Sequence, residues 1–174
     1  MLLYFSVTGK RGPDPTEQSV WRPMRLLFDA MDADIARLYA EADLGEVRPS
    51  FVMELIRLHL YGPMTITELA RSVQRTHSAV SQKVATMRAA GLVRTTVGAD
   101  ARSRRVALTA KARRITAKLA AEWRATEASV LELEAELPYP LTQVVADIEA
   151  ALARRSWHDR IADKLAEDPD WGLT

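Results

Sequence analysis

The chain has 174 residues, of which 48% are hydrophobic and 27% charged, and its formal net charge is +1. This length suits one compact domain, with or without an oligomerisation arm, and the composition argues against a wholly disordered chain. The sequence contains no cysteine, which excludes disulfides, thiolate zinc sites and thiol-based redox sensing. Because we find neither a signal peptide nor a long apolar run, we expect a cytoplasmic protein without a membrane partner.

We expect residues 1 to 13 to form a flexible tail, with packing on a partner subunit as the alternative, and residues 14 to 46 to form a long helix. Asp14, Pro15 and Glu17 have the spacing of an N-cap, a first-turn proline and a capping-box glutamate. Apolar residues then recur every three or four positions, which predicts one apolar stripe along the helix. The stripe contains Trp21, Met24, Leu27, Phe28, Met31, Ile35 and Leu38.

A pair of short helices follows a second apolar helix that Gly62 and Pro63 end. In "MTITELARSV", Thr65 and Glu68 have capping-box spacing. A turn then leads to Thr76, a natural N-cap for the helix "HSAVSQKVATMRAA". Two helices joined by such a short turn predict a helix-turn-helix.

The second helix of the pair has an unusual outward face. Val80, Val84 and Met87 fall on one side, which we expect to be buried. The opposite side carries small and hydrogen-bonding residues with no carboxylate. Such a face suits close approach to the major groove, where Gln82 can offer a paired donor and acceptor to adenine.

Two short strands follow, and the loop between them is rich in arginine. "LVRTTV" is predicted to place Val93, Thr95 and Val97 on one side, and "RVAL" to place Val106 and Leu108 inward. The connecting "GADARSRR" brings several arginines to the tip. Two antiparallel strands with a basic tip predict a wing, and inserted arginines suit a narrow A·T-rich minor groove.

Positive charge is concentrated around these elements. Residues 71 to 118 contain twelve Lys or Arg and one acidic residue, net +11, whereas the remaining twelve basic and twenty-two acidic residues give −10. This basic segment, residues 71 to 118, is the electrostatic signature of a polyanionic partner. The alternative is a solvated charged surface.

Residues 50 to 112 together resemble the winged helix-turn-helix of the MarR family of bacterial transcriptional regulators. The stretches that carry the resemblance are "MTITELA", "SAVSQKV…MRAAGLV" and "DARSRRVALT", the last being similar to the family's wing signature. The resemblance implies that Arg102 inserts into the minor groove and that Asp100 orients the wing arginines. One departure is Ala112, because the family often has glycine shortly after the Leu-Thr of this signature.

The predicted fold is therefore mainly α, with a three-helix core, a two-stranded β wing and dimerisation helices at both ends. We expect residues 47 to 112 to form the DNA-binding lobe. Residues 113 to 174 are expected to form dimerisation helices, one capped by Thr109 and running to about Leu137, and one after "LPYP". The alternative for these helices is a monomeric bundle.

We interpret the chain as a homodimeric regulator, a repressor, that binds a pseudo-palindromic double-stranded DNA operator. The predicted DNA contacts are Arg75, Thr76, His77, Ser78, Ser81, Gln82, Lys83, Arg88, Arg102, Arg104 and Arg105. The resemblance implies a small lipophilic or aromatic effector. Its candidate pocket is lined by Trp21, Met24, Arg25, Phe28 and Met53, for which core packing is the alternative explanation.

Two other function classes compete with this interpretation. A winged helix that binds protein instead of DNA would show little duplex binding and no steep salt dependence. A small enzyme would need a convergent set of titratable groups, and the sequence offers none. His59, His77 and His158 are too far apart in the sequence to suggest a metal site.

Overall fold

The structure, a computed structural model, describes residues 14–17, 19–97 and 104–172. The chain divides into two compact units, with the boundary between Leu119 and Ala120. The predicted tail of residues 1 to 13 and most of the loop between the two strands lie outside the described residues. In the described part the chain is mainly helical, with one two-stranded antiparallel sheet, which confirms the predicted fold class.

Helix α1 spans Arg22–Glu41 and follows a short 3-10 turn at Pro15–Glu17. The predicted cap belongs to that turn and not to α1, since the Asp14 carboxylate accepts the Thr16 N–H at 2.8 Å. Pro23 lies in the first turn of α1, where its missing N–H has no helical partner to lose. Tyr39 is the buried residue of α1, so the described residues cover little of the predicted apolar stripe.

The first unit is built on three short helices. They are α2 (Val52–Tyr61), α3 (Ile66–Ser72) and α4 (His77–Ala89). Their inner faces, with Val73 at the end of α3, supply a large part of the core, including Val52, Leu55, Leu58, Leu69, Ala70, Val73, Val80, Val84 and Met87. The three inner positions predicted for α4 are thus confirmed.

Local capping bonds fix where α3 and α4 begin. The Thr65 hydroxyl accepts the Glu68 N–H at 3.1 Å, and the Glu68 carboxylate accepts the Thr65 N–H at 2.7 Å. The Thr76 hydroxyl accepts the Ala79 N–H at 3.3 Å. Both predicted caps are confirmed. The turn that joins α3 to α4 consists of residues 73 to 75.

That turn contains a residue in the left-handed region, Gln74, with φ of 51°. The Gln74 N–H donates to the Arg71 carbonyl at 3.2 Å, and the Arg75 N–H to the Ala70 carbonyl at 3.0 Å. These two bonds close the end of α3 in the way that usually employs glycine. A side chain in this conformation costs roughly 1–2 kcal/mol.

We expect Gln74→Gly to raise the free energy of unfolding by about 0.5–1 kcal/mol, because relief of the strain exceeds the extra entropy of an unfolded glycine. Denaturant unfolding at fixed protein concentration measures this change. Gln143→Gly, in the first turn of an exposed helix, is the matched control and should lower stability, by no more than about 1 kcal/mol. A loss of stability in the Gln74 variant would contradict the strain argument.

Strands β1 (Val93–Val97) and β2 (Arg104–Leu108) form the antiparallel ribbon. Val93 pairs with Leu108 and Val97 with Arg104, while Met64 forms an isolated bridge to Val106. Val93, Val106 and Leu108 are buried as predicted. Val97, predicted on the same side of β1 as Val93, is 71% exposed, because the ribbon there extends past the core.

Helix α5 spans Ala110–Glu136 and crosses the boundary between the two units. The Thr109 hydroxyl accepts the Ala112 N–H at 3.2 Å, which confirms the predicted cap, and donates to the Gly91 carbonyl at 2.8 Å. Ala112, Thr116 and Leu119 are the buried residues of α5. Ala112, which stands where the family often has glycine, therefore does not prevent α5 from starting at Ala110.

The second unit contains the rest of α5, then α6 (Leu141–Arg154) and α7 (Trp157–Ala166). The prediction of one helix after residue 140 was wrong, since the backbone is extended at Arg155. The Ser156 hydroxyl then accepts the Asp159 N–H at 3.1 Å and caps α7. Neither α6 nor α7 has a buried residue.

Candidate nucleic-acid interface

Helix α4 presents its predicted outward face to solvent. Ser78, Gln82, Ala85 and Thr86 are exposed, whereas Ser81 is half-buried beside the inner face. The helix contains no Asp or Glu, so no carboxylate of its own would repel a phosphate. The exposed groups are short enough for a close approach to another surface.

The N-terminal end of α4 adds further donors. Arg75, Thr76 and His77 are all exposed there, and the first backbone N–H groups of a helix carry a partial positive charge. The Thr76 hydroxyl also lies 3.3 Å from the Ser78 hydroxyl. This end of α4 has the chemistry that favours a phosphate group.

Lys83 does not join this exposed set. Its ammonium lies 2.7 Å from Oε1 of Glu54, and its side chain is 27% exposed. Glu54 lies on α2 and is buried, at 1% exposure. Sequence reasoning missed Glu54, although its position three residues after Phe51, on the apolar side of α2, could have revealed it.

Arg105 is also engaged within the lobe. Its guanidinium donates to the Pro63 carbonyl at 2.7 Å and lies 3.3 Å from Oε1 of Glu68. The Thr65 N–H and the charge of Arg105 both lower the pKa of the Glu68 carboxyl, the former more strongly. Through Arg105, Glu68 joins β2 to the start of α3. Its contribution to the stability of the lobe is lost as pH falls through the folded pKa of its carboxyl.

The remaining predicted DNA contacts lie in the wing and at the end of α4. Arg104 is exposed at the start of β2, on the part of the ribbon that leads into the arginine-rich loop. Arg88, in the last turn of α4, is exposed as well. Asp100 and Arg102 lie outside the described residues, so the roles that the resemblance implies for them stay predictions.

One of the candidate effector residues, Arg25, lines a cavity formed by described residues. The cavity, of about 610 Å³, lies beside the start of α1, and the Arg25 guanidinium donates to the Ser19 hydroxyl at 2.8 Å. Trp21, Phe28 and Met53 do not line it and are exposed, and Met24 is half-buried. The predicted pocket stays a prediction.

Residues 14–17, 19–97 and 104–172 contain no group of three His, Asp or Glu side chains placed to hold a metal ion. Within the same ranges, every helix is too short or too polar to cross a bilayer.

Comparisons with known proteins agree with this geometry. The family model HVO_A0114 matches residues 52–115, and comparison with curated proteins finds no match. The S. aureus MepR–DNA complex is similar with a TM-score of 0.58 and 17% identity, covering 78% of this chain and 97% of that one.

Two more solved structures have similar scores. The M. tuberculosis transcriptional regulator MOSR in complex with DNA is 24% identical, with a TM-score of 0.53 over 79% of this chain and 99% of that one. A MarR protein from Peptoclostridium difficile is 17% identical, with a TM-score of 0.53 over 84% and 93%. In its fold, the chain is a MarR-like winged-helix protein.

Proposed function

We propose that this chain is a sequence-specific double-stranded DNA-binding transcriptional regulator. The observation that carries the proposal is the exposed, carboxylate-free face of α4, which lies within the basic segment. Two of the similar structures are complexes with DNA, which supports the same assignment. In this proposal Gln82 makes hydrogen bonds to base edges in the major groove, and Ser78 and Ser81 make further contacts beside it.

Phosphate contacts come from the exposed cations and donors that surround this face. We assign them to Arg75, Thr76, His77, Arg88 and Arg104, with Arg102 of the wing loop in the minor groove. Lys83 and Arg105 are left out of this set, because their charges already have partners inside the lobe. This removes two residues from the contacts predicted from the sequence.

The functional unit in this proposal is a homodimer. Large apolar side chains are exposed on α1, and separately on the helices of the second unit. A monomer rarely exposes so many apolar side chains without using them. They are Trp21, Leu26, Leu27, Phe28 and Leu38 on α1, and Leu131, Leu133, Val144, Val145, Ile148, Trp157 and Ile161 in the second unit. A two-fold symmetric dimer would read a pseudo-palindromic operator.

The proposed function includes control by a small-molecule effector. A second copy packed on α1 would turn the exposed Trp21, Phe28 and Met53 into the walls of an apolar pocket, with Arg25 available for an acidic group. A small lipophilic or aromatic acid would fit that chemistry. Bound there, it would shift the two lobes and release a repressor from its operator.

Replacing Gln82 with alanine tests the assignment of α4. We expect Gln82→Ala to weaken binding to a selected operator by about 1–3 kcal/mol and to relax preference at one position in each half-site. Binding to random duplex should change little, because the phosphate contacts remain. Fluorescence titrations with operator, half-site mutant and random duplex measure these effects.

Gln143→Ala is the matched control, since Gln143 is an exposed helical glutamine in the second unit. It should bind all three duplexes like the unmodified protein, and circular dichroism should show both variants folded. Equal weakening on all three duplexes by Gln82→Ala would refute base readout. Absence of duplex binding by the unmodified protein would favour the protein-interaction alternative.

A further inference from the structure

One ion pair joins α4, the helix proposed to contact the bases, to the buried side of α2. Lys83 on α4 and Glu54 on α2 are 29 residues apart in sequence, yet their charged atoms are 2.7 Å apart. The second carboxylate oxygen of Glu54, Oε2, is buried and makes no hydrogen bond to any residue that the structure describes. The pair is therefore a charged contact in an otherwise apolar layer.

Lys83 lies at the edge between the two faces of α4. Val80 and Val84 beside it are buried, whereas Gln82 and Thr86 are exposed. A lysine stem is long and flexible, so from such a position the ammonium can turn inward or toward solvent. Glu54 is the group that turns it inward.

Stability alone is a poor explanation for this pair. Burying a carboxylate is expensive, and well-packed apolar residues in the place of a buried ion pair are often as stable or more so. An apolar contact, however, is not directional, so it constrains the rotation of α4 relative to α2 less tightly than a charged contact does. A single charged contact allows fewer orientations of α4.

Resting on the proposed DNA-binding function, we propose that Glu54 is a positioning residue for sequence discrimination. By holding Lys83 inward, it fixes the rotation of α4 that presents Gln82, and it withdraws one cation from the DNA-facing surface. Both effects favour specific over random DNA. The first preserves the base contacts, and the second lowers the sequence-independent attraction to phosphate.

Glu54→Gln tests this, because it keeps the side-chain shape while releasing the Lys83 ammonium. The duplexes are one selected by the unmodified protein from a randomised library, and one random duplex of equal length. We expect the ratio of the two affinities to fall by at least about fivefold, the discrimination of one base contact. Affinity for random duplex should not fall, and its salt slope should steepen by about one for each released lysine that reaches a phosphate.

Three controls separate positioning from a loss of folding. Leu119→Val removes buried apolar volume on α5 and leaves the Lys83–Glu54 pair in place, so it should leave the affinity ratio unchanged. Glu54→Gln combined with Lys83→Gln should keep the lower ratio but lose the steeper slope. If Glu54→Gln does not fold, Glu54→Leu with Lys83→Leu takes its place, and a lower ratio is expected there too.

The inference is overturned by an unchanged affinity ratio in any folded variant that lacks the pair. An equal loss of affinity for both duplexes would also overturn it, since that result indicates only a smaller folded fraction. If the unmodified protein binds no duplex at all, the proposed function itself has failed. Selective binding by the unmodified protein with an unchanged ratio in Glu54→Gln would remove only the positioning role.

Discussion

Affinity for duplex DNA is expected to fall by about a thousandfold or more when salt rises from about 50 to about 200 mM. Each cation that neutralises a phosphate releases a condensed counterion, so the logarithm of the affinity falls linearly with the logarithm of the salt concentration. A dimer making on the order of 6 to 10 such contacts gives a slope steep enough for this loss of affinity. The basic segment contains twelve Lys or Arg. Titrations at several salt concentrations with one duplex measure the slope directly.

The structure limits which of these cations can contribute. Lys83 is paired with Glu54, Arg105 with Glu68 and Lys111 with Glu46. The Arg113 guanidinium donates to the Leu108 carbonyl at 2.9 Å. We therefore expect most of the salt slope to come from the other basic residues of the segment, each counted twice in a dimer.

Single substitutions should separate the two groups of cations. Arg75→Ala and Arg104→Ala each remove an exposed charge, so each should lower the slope by about two for a dimer. Arg113→Ala is the matched control within the same segment and should leave the slope unchanged. A flat salt response of the unmodified protein would contradict the interpretation of the basic segment as a DNA-binding surface.

Local signals in the sequence predicted much of the fold. The capping box of Thr65 and Glu68 and the cap at Thr76 involve residues only three apart, so they can be identified without any tertiary contact. The buried side of α4 follows from helical periodicity alone. The start of α7 could have been predicted in the same way, because Ser156 and Asp159 have the spacing of an N-cap and its partner. The apolar repeat through residues 141 to 165 instead led to the prediction of a single helix.

The partners of long charged side chains could not be predicted in this way. Lys83 and Arg105 were assigned to DNA because they lie in a basic segment, yet each finds a carboxylate on another element. A flexible side chain reaches several directions from one backbone position, and the nearest opposite charge depends on how distant segments pack. The exposure of Val97 could not be predicted for a related reason, since strand alternation does not tell where the core ends.

Lys83→Met is expected to lower the free energy of unfolding by about 3 kcal/mol. Removing one partner of a buried pair costs roughly 3–5 kcal/mol, because it leaves the other charge without compensation. We expect the lower end of that range, since the Lys83 side chain is 27% exposed and its ammonium is partly hydrated. Denaturant unfolding at one fixed protomer concentration measures the loss, because dimerisation would otherwise shift the apparent stability.

Lys118→Met is the matched control for that substitution, because Lys118 is exposed on α5, and it should change stability by less than about 0.5 kcal/mol. Glu54→Leu with Lys83→Leu should recover most of the loss, since neither charge then remains in the apolar layer. The two interpretations of Lys83 give opposite results. A variant that loses stability supports the inward ion pair, whereas Lys83→Met with normal stability and weaker binding to every duplex would place Lys83 on the DNA backbone, as its position in the sequence first indicated.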